Sequence, residues 1–228
     1  MSDPLAMDAS ELKAWRKTRR EHWIAWREAL PASQREAWGR KITTLLGALL
    51  AKPQDVVVGF CWPYRAEFDA RFAVRHWREQ GAIAALPEVI GKNQPLRFRK
   101  WWPGAPMTSG VYDIPLPDGT PEVLPDVAIV PMNAFDERGY RLGYGGGFFD
   151  RTLAALERRV IAIGVTYDQC REASIAPQPY DLPMDFVVTE AGVHAAGGNA
   201  LLRLESTAAA NRLQQLMAQR RLPRTLHN

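Results

Sequence analysis

Apolar side chains return along residues 11–30 at Leu12, Trp15, Trp23, Trp26 and Leu30, a helical spacing that lays one oily stripe against a core. Pro31 ends that helix. Ser33 and Glu36 stand at capping-box spacing, and Trp38, Ile42, Leu45, Leu46 and Leu49 carry a second helix to about Lys52-Pro53. The run Val56 to Trp62 (VVVGFCW) is short, apolar and rich in β-branched residues, which predicts a buried strand. A helix over Ala70 to Gln80, stopped by Gly81, leads to a strand over Ala82 to Leu86 and completes a β-α-β unit. Leu96 to Trp102 alternates and predicts a more exposed edge strand, while Val127 to Pro131 predicts another buried one. A helix from Phe148 to about Arg159, a strand over Val160 to Val165, an irregular proline-rich stretch and a last strand over Phe186 to Thr189 complete the pattern. Strands alternating with helices, without internal repeat, predict a single-domain, three-layer αβα fold with a mostly parallel central sheet.

Composition narrows the class without changing it. At 228 residues, 46% hydrophobic and 24% charged, the chain is sized for one large domain, and no apolar run approaches a membrane span. The first residues carry acids and no apolar core, so no secretory leader is expected; a soluble, cytoplasmic, monomeric protein is. Cys61 and Cys170 lack a Cys-x-x-Cys partner or an adjacent His and read as ordinary reduced thiols. The net charge of +4 is carried by the C-terminal stretch, where Arg203, Arg212, Arg220, Arg221 and Arg224 face one acid, Glu205. Residues 1–194 are therefore assigned to the domain and 195–228 to a basic, partly flexible extension; with no aromatic side chain to stack on bases, it is not expected to bind nucleic acid.

One stretch asks for chemistry. RLGYGGGFFDR, residues 141–151, sets four glycines between Arg141 and the acid Asp150, after a buried strand and before a helix. Glycines at the carboxyl ends of α/β strands let backbone amides approach an anion, and the following helix dipole favours negative charge. Arg141 is a bidentate donor for phosphate oxygens, and Asp150 a hard ligand for Mg²⁺. The loop lacks the Lys-Ser/Thr of a P-loop and does not directly follow an N-terminal strand as a dinucleotide fingerprint does. Read alone, GYGGG is equally compatible with a bare turn.

Its neighbours extend the pattern. AFDERGYRLGYGGGFFDR resembles the signature of the 5-formyltetrahydrofolate cyclo-ligase family, also called methenyltetrahydrofolate synthetases. LKAWR, WPYRAEFD, FRKWWPG, IGVTYDQ and PYDLPMDFVVTE are similar to further family landmarks in order and spacing, from about residue 11 to 193. The resemblance implies a Rossmann-like fold and an ATP- and Mg²⁺-dependent ring closure. In such enzymes the formyl oxygen of 5-formyltetrahydrofolate attacks the γ-phosphate. N10 captures the phosphorylated iminium, and phosphate leaves to give 5,10-methenyltetrahydrofolate and ADP.

Carried onto this chain, the resemblance implies that Lys13 and Arg16 touch ATP phosphates, with Lys13 and Arg141 acting in catalysis. Arg141, Gly143, Tyr144, Gly145, Gly146, Gly147, Phe148 and Phe149 would cradle the triphosphate. Tyr144 and Phe148 would also face the folate, Trp62 and Glu67 would bind it, with or without a polyglutamate tail, and Asp150 and Asp181 would serve Mg²⁺. On spacing alone, Lys13, Arg16, Arg20 and Arg27 read as a solvated basic helix face; the resemblance alters that for Lys13 and Arg16. The family usually has Tyr where Phe148 and Phe149 stand, Gly or Ser near Arg65-Ala66, and often Thr at Ala70. Phe149 and Arg65 motivate an alternative, a catalytically weakened relative that binds nucleotide or folate without turnover. A phosphosugar- or coenzyme A-handling protein is a further alternative on fold grounds.

Overall fold

The computed structural model describes residues 7–156 and 160–220. Helix α1 (Ala9–Ala29) opens on a capping box: Asp8 accepts from the amides of Ser10 and Glu11 at 2.7 and 2.9 Å, and Glu11 accepts from Asp8 N at 2.9 Å. Helix α2 (Ala32–Leu49) does not use the Ser33–Glu36 pair expected to cap it. It starts two residues earlier, with Pro31 as N-cap and no side-chain cap, so Ser33 already lies inside the first turn.

The remaining elements follow in order: β1 (Val57–Phe60), α3 (Arg71–Glu79), β2 (Ile83–Val89), β3 (Leu96–Trp101), β4 (Met107–Ser109), β5 (Pro115–Pro117), β6 (Val127–Pro131), β7 (Ala134–Asp136) and β8 (Arg141–Leu142). After these come α4 (Phe148–Ala155), β9 (Ile161–Val165), β10 (Arg171–Glu172), β11 (Phe186–Thr189), β12 (Gly192–Ala196), β13 (Leu201–Leu204) and α5 (Ser206–Arg220). The helix expected to reach Arg159 ends at Ala155, and residues 157–159 lie outside the described residues.

Eight strands form one sheet in the order β13-β12-β11-β9-β6-β1-β2-β3. The five central strands, β11, β9, β6, β1 and β2, run parallel. At one edge β3 is antiparallel to β2, in keeping with the more exposed strand its alternation predicts. At the other edge β12 and β13 add two antiparallel strands after β11, which is therefore not the last strand. The residues β4, β5, β7, β8 and β10 comprise are too few to carry a readable period.

Both faces of the sheet are covered, unequally. Trp23 of α1, Ile42 and Leu46 of α2, Trp77 of α3 and Leu213 of α5 join Phe60, Ile129, Ile163 and Phe186 in one apolar cluster. On the other face Leu153 of α4 packs with Val130, Ala162 and Val187. The boundary at 194 cuts through β12, and the chain beyond it continues the same layers. Ala209, Leu213 and Leu216 of α5 are buried, and Arg220 closes on Asp185 through two bonds of 2.8 and 2.7 Å. Of the tail's remaining cations, Arg221 and Arg224 lie outside the described residues.

Leu213→Ala is expected to cost about 3 kcal/mol, as buried leucine truncations do. Urea unfolding at unchanged m-value measures it; a loss below about 0.5 kcal/mol, the size expected of surface changes, would mean that α5 does not pack as described.

Candidate active site

The parallel strands present their carboxyl ends at one side of the sheet, and the glycine loop lies there because the chain after β6 is pinned. β7 and β8 form a hairpin that takes up β10 as a third strand. Fully buried Asp136 organises it, accepting from Arg138 N at 3.0 Å, Tyr140 N at 3.1 Å and Ile175 N at 3.4 Å. Burial pushes the Asp136 carboxyl up, and those amides pull it back. The motif's Asp is thus a structural residue.

Helix α1 brings its arginines to these loops. Arg16 Nη1 donates to Asp181 Oδ2 at 2.8 Å, and Arg20 Nε to the Gly143 carbonyl at 2.8 Å. Arg19 donates to Glu172 through Nε at 2.9 Å and through Nη2, while Trp23 Nε1 reaches the same oxygen at 2.6 Å. Arg27, 2% exposed, donates to the Arg65 carbonyl, the Met132 carbonyl and the Tyr144 hydroxyl. Arg20 and Arg27 are therefore not a solvated face, and Arg19 and Glu172 join them as residues that sequence reasoning missed. Positions 16, 19, 20 and 27 fall on one side of a helix, a spacing that groups the four cations without telling a docked face from a solvated one. Lys13 is exposed, one turn before Arg16.

Inside the loop, Gly145 and Gly147 adopt φ of 92° and 65°, a region that costs other residues strain. A Cβ on Gly145 would stand 3.3 Å from the Arg20 guanidinium. Gly147 is the N-cap of α4 and offers no side chain to the helix N-terminus, which leaves its first amides for a ligand. Arg141, 7% exposed, pairs with Asp150 at 2.8 Å and donates to the Leu182 carbonyl at 3.2 Å; Leu182 N in turn bonds Asp150 at 3.1 Å. Burial lowers the Arg141 guanidinium, and Asp150 and Asp181 oppose the shift. Desolvation and the neighbouring Arg16 lower Arg20 likewise. Arg151 lies over the Phe148 ring at 5.1 Å and donates to the Gly146 carbonyl at 2.6 Å.

Phe149 packs against the sheet's apolar clusters, with Arg141 5.9 Å over its ring. A hydroxyl there is not needed for the ring to hold its place. On the far side of the loop, Tyr144 donates to Glu67 Oε1 at 2.8 Å, and Tyr64 N donates to Oε2 at 3.0 Å. Trp62 stacks under Arg71 at 4.7 Å and meets Trp101 edge-on at 6.1 Å. Arg65 and Ala66 both have positive φ, 48° and 58°, in the turn where the resembling family favours small residues. The Arg65 side chain is held by Glu28 through two bonds of 2.8 Å.

These groups suit a polyphosphate. Three guanidiniums surround the loop, and the Arg16 Nε is buried with no partner among the described residues. Asp150 and Asp181 fit Mg²⁺ arriving with phosphates, because that ion keeps waters and takes few protein carboxylates. Among the described residues no group of three or more His, Cys, Asp or Glu could hold a metal by itself. A cavity of about 330 Å³ between α2 and β12–β13, lined by Lys41, Glu190 and Arg203, contains none of the candidate residues. Among the described residues no helix is long and apolar enough to cross a membrane.

The 5-formyltetrahydrofolate cyclo-ligase family matches the chain over residues 12–190. A 5-formyltetrahydrofolate cyclo-ligase of Haemophilus influenzae is 36% identical over 96 residues, 39% of this chain and 51% of that one. Its counterpart from Mycolicibacterium smegmatis is 37% identical over 121 residues, 49% and 61% of the two chains. The chain thus spans about half to three fifths of the length of these relatives. The NMR structure of an Aquifex aeolicus 5,10-methenyltetrahydrofolate synthetase superposes with a TM-score of 0.68 at 26% identity, over 83% of this chain and 97% of that one. A Mycoplasma pneumoniae synthetase shares the fold at a TM-score of 0.62 and 22% identity.

Asp150→Asn leaves the Arg141 guanidinium buried beside a neutral partner. Its expected cost is about 3 kcal/mol in urea unfolding of the ligand-free protein, as for other broken buried pairs. Unchanged stability would mean that the pair does not form in solution, and a large cost makes this substitution a poor isolated probe of turnover.

Proposed function

The chain belongs to the 5-formyltetrahydrofolate cyclo-ligase family, and on that premise we propose that it converts 5-formyltetrahydrofolate to 5,10-methenyltetrahydrofolate at the expense of ATP, with Mg²⁺. The observation that carries the reading is one loop with two clients: arginines 16, 20 and 141 gather on its phosphate side, and its Tyr144 meets Glu67 on the other.

The formyl amide oxygen is a weak nucleophile, and oxide is a poor leaving group. Transfer of the γ-phosphoryl to that oxygen, with ADP leaving, solves the second problem; N10 then closes on the same carbon and phosphate departs. Positioning and charge neutralisation must solve the first. Arg16, Arg20 and Arg141, with the amides at the α4 N-terminus, supply the neutralising charge on this reading, and Lys13 stands one turn away to add to it. Mg²⁺ on Asp150 and Asp181 would screen the phosphates further. Phosphate oxygens that take Arg16 and Arg141 would release Asp181 and Asp150 from their ion pairs, which favours arrival of metal and nucleotide together. Glu67 accepts from the pterin's amide and amino donors, flanked by Trp62. Phe149 packed on the sheet and Arg65 tied to Glu28 give no support to a weakened relative.

Purified protein with 5-formyltetrahydrofolate, ATP and Mg²⁺ is expected to raise the near-ultraviolet absorbance of the methenyl product. Omitting ATP or adding excess EDTA should flatten the trace. Glu67→Gln should raise KM for the folate by about tenfold, the worth of one charged hydrogen bond, and leave ATP affinity unchanged. A flat trace from folded wild-type protein that binds ATP would defeat the reading.

A further inference from the structure

Arg20 and Arg27 are the arginines of α1 without a carboxylate partner among the described residues, and Arg27 is the buried one. It is 2% exposed, and among the described residues no acid lies within ion-pair distance of it. A buried cation in that position needs strong acceptors. Its three are the Arg65 carbonyl at 3.0 Å, the Met132 carbonyl at 3.4 Å and the Tyr144 hydroxyl at 3.0 Å. They belong to the turn after β1, the end of β6 and the glycine loop, so one side chain ties together the three segments that frame Glu67.

The third bond also has a direction. A guanidinium only donates, so the Tyr144 oxygen must accept from Arg27, and its single hydrogen is left for Glu67 Oε1 at 2.8 Å. Tyr64 N fills one lone pair on Oε2. Each Glu67 oxygen therefore keeps a lone pair, an array matched to a pair of ligand N–H donors.

We propose that Arg27 is a positioning residue for the folate: by forcing the Tyr144 hydroxyl to donate, it holds Glu67 as the acceptor that the pterin's N–H groups meet. This rests on the role given to Glu67 above. The groups facing Glu67 are Arg27 from α1, Tyr144 from the glycine loop, and Tyr64 and Cys61 from the turn after β1. Burial pushes the Glu67 carboxyl above the usual range, while Arg27, the Tyr144 hydroxyl and the Tyr64 amide pull it down. Burial and Glu67 push the Cys61 thiol up, so it stays neutral. Without Arg27, Glu67 would hold its proton to higher pH, and the Tyr144 hydroxyl could turn toward a new acceptor.

The test compares Arg27→Gln, Arg27→Lys and Tyr144→Phe with wild type. Carbon-13 NMR of labelled glutamate carboxyls follows the Glu67 titration in ligand-free protein, with Glu67→Gln identifying the signal, and fluorescence follows binding of 5-formyltetrahydrofolate. Arg27→Gln should move the Glu67 midpoint upward and weaken folate binding at pH 7 by about tenfold, the loss of one charge-assisted contact. The loss should shrink as pH rises, which a merely structural role does not produce. Arg27→Lys, still a donor only, should restore most of the affinity. Tyr144→Phe removes one hydroxyl from a half-exposed ring and should raise the midpoint by itself, so it decides the matter if Arg27→Gln does not fold. An unmoved Glu67 midpoint in a folded Arg27→Gln, or in Tyr144→Phe, overturns the proposal. Wild-type protein that binds no folate would remove the reading of Glu67, while the ligand-free titrations would still decide whether Arg27 acts on Glu67 through Tyr144.

Discussion

A loop that leaves the carboxyl end of a parallel strand has no ladder partner, and its backbone groups must be satisfied from elsewhere. In this chain α1 does that work with arginine. Arg20 takes the Gly143 carbonyl, Arg27 the carbonyls of Met132 and Arg65, and Arg16 the carboxylate of Asp181. The helix itself is held by Glu172, which gathers Arg19 and Trp23. Removing that docking would take Trp23 from the apolar cluster and leave the loops without their anchors.

The same arrangement stores charge in a usable form. Burial strips hydration from the Arg20 and Arg141 guanidiniums and lowers both, with repulsion from Arg16 adding to it. Asp181 and Asp150 offset this by pairing with Arg16 and Arg141. Donors that are already oriented need little reorganisation when an anion arrives, which is the condition under which electrostatic stabilisation is strongest.

Much of this was legible in the residues. The buried strands β1, β6, β9 and β11 announced themselves through β-branched runs, and β3 through its alternation. The C-terminal strands and α5 were hidden because composition, Arg- and Ala-rich, spoke for an exposed tail, whereas burial of Ala209, Leu213 and Leu216 is a tertiary fact. At the site, glycines and flanking charges pointed to Arg141 and Asp150, which the fold brings together at 2.8 Å. Arg27 could not be told from a solvated cation, because its acceptors are backbone carbonyls and a hydroxyl up to 117 positions away. Ser33–Glu36 shows the reverse error, a motif satisfied in spacing but displaced by a proline that starts the helix earlier.

The distances along the chain have a further consequence. Arg16 meets Asp181 across 165 positions, Arg19 meets Glu172 across 153, and Arg20 meets Gly143 across 123. Contacts of such separation close large loops and form late. During synthesis Arg20 can meet its acceptor once Gly143 has been made, whereas Arg19 and Arg16 must wait for Glu172 and Asp181. The arginines of α1 are therefore fixed in two stages, and a nascent fragment that stops short of Glu172 holds the glycine loop without the Arg16 and Arg19 pairs.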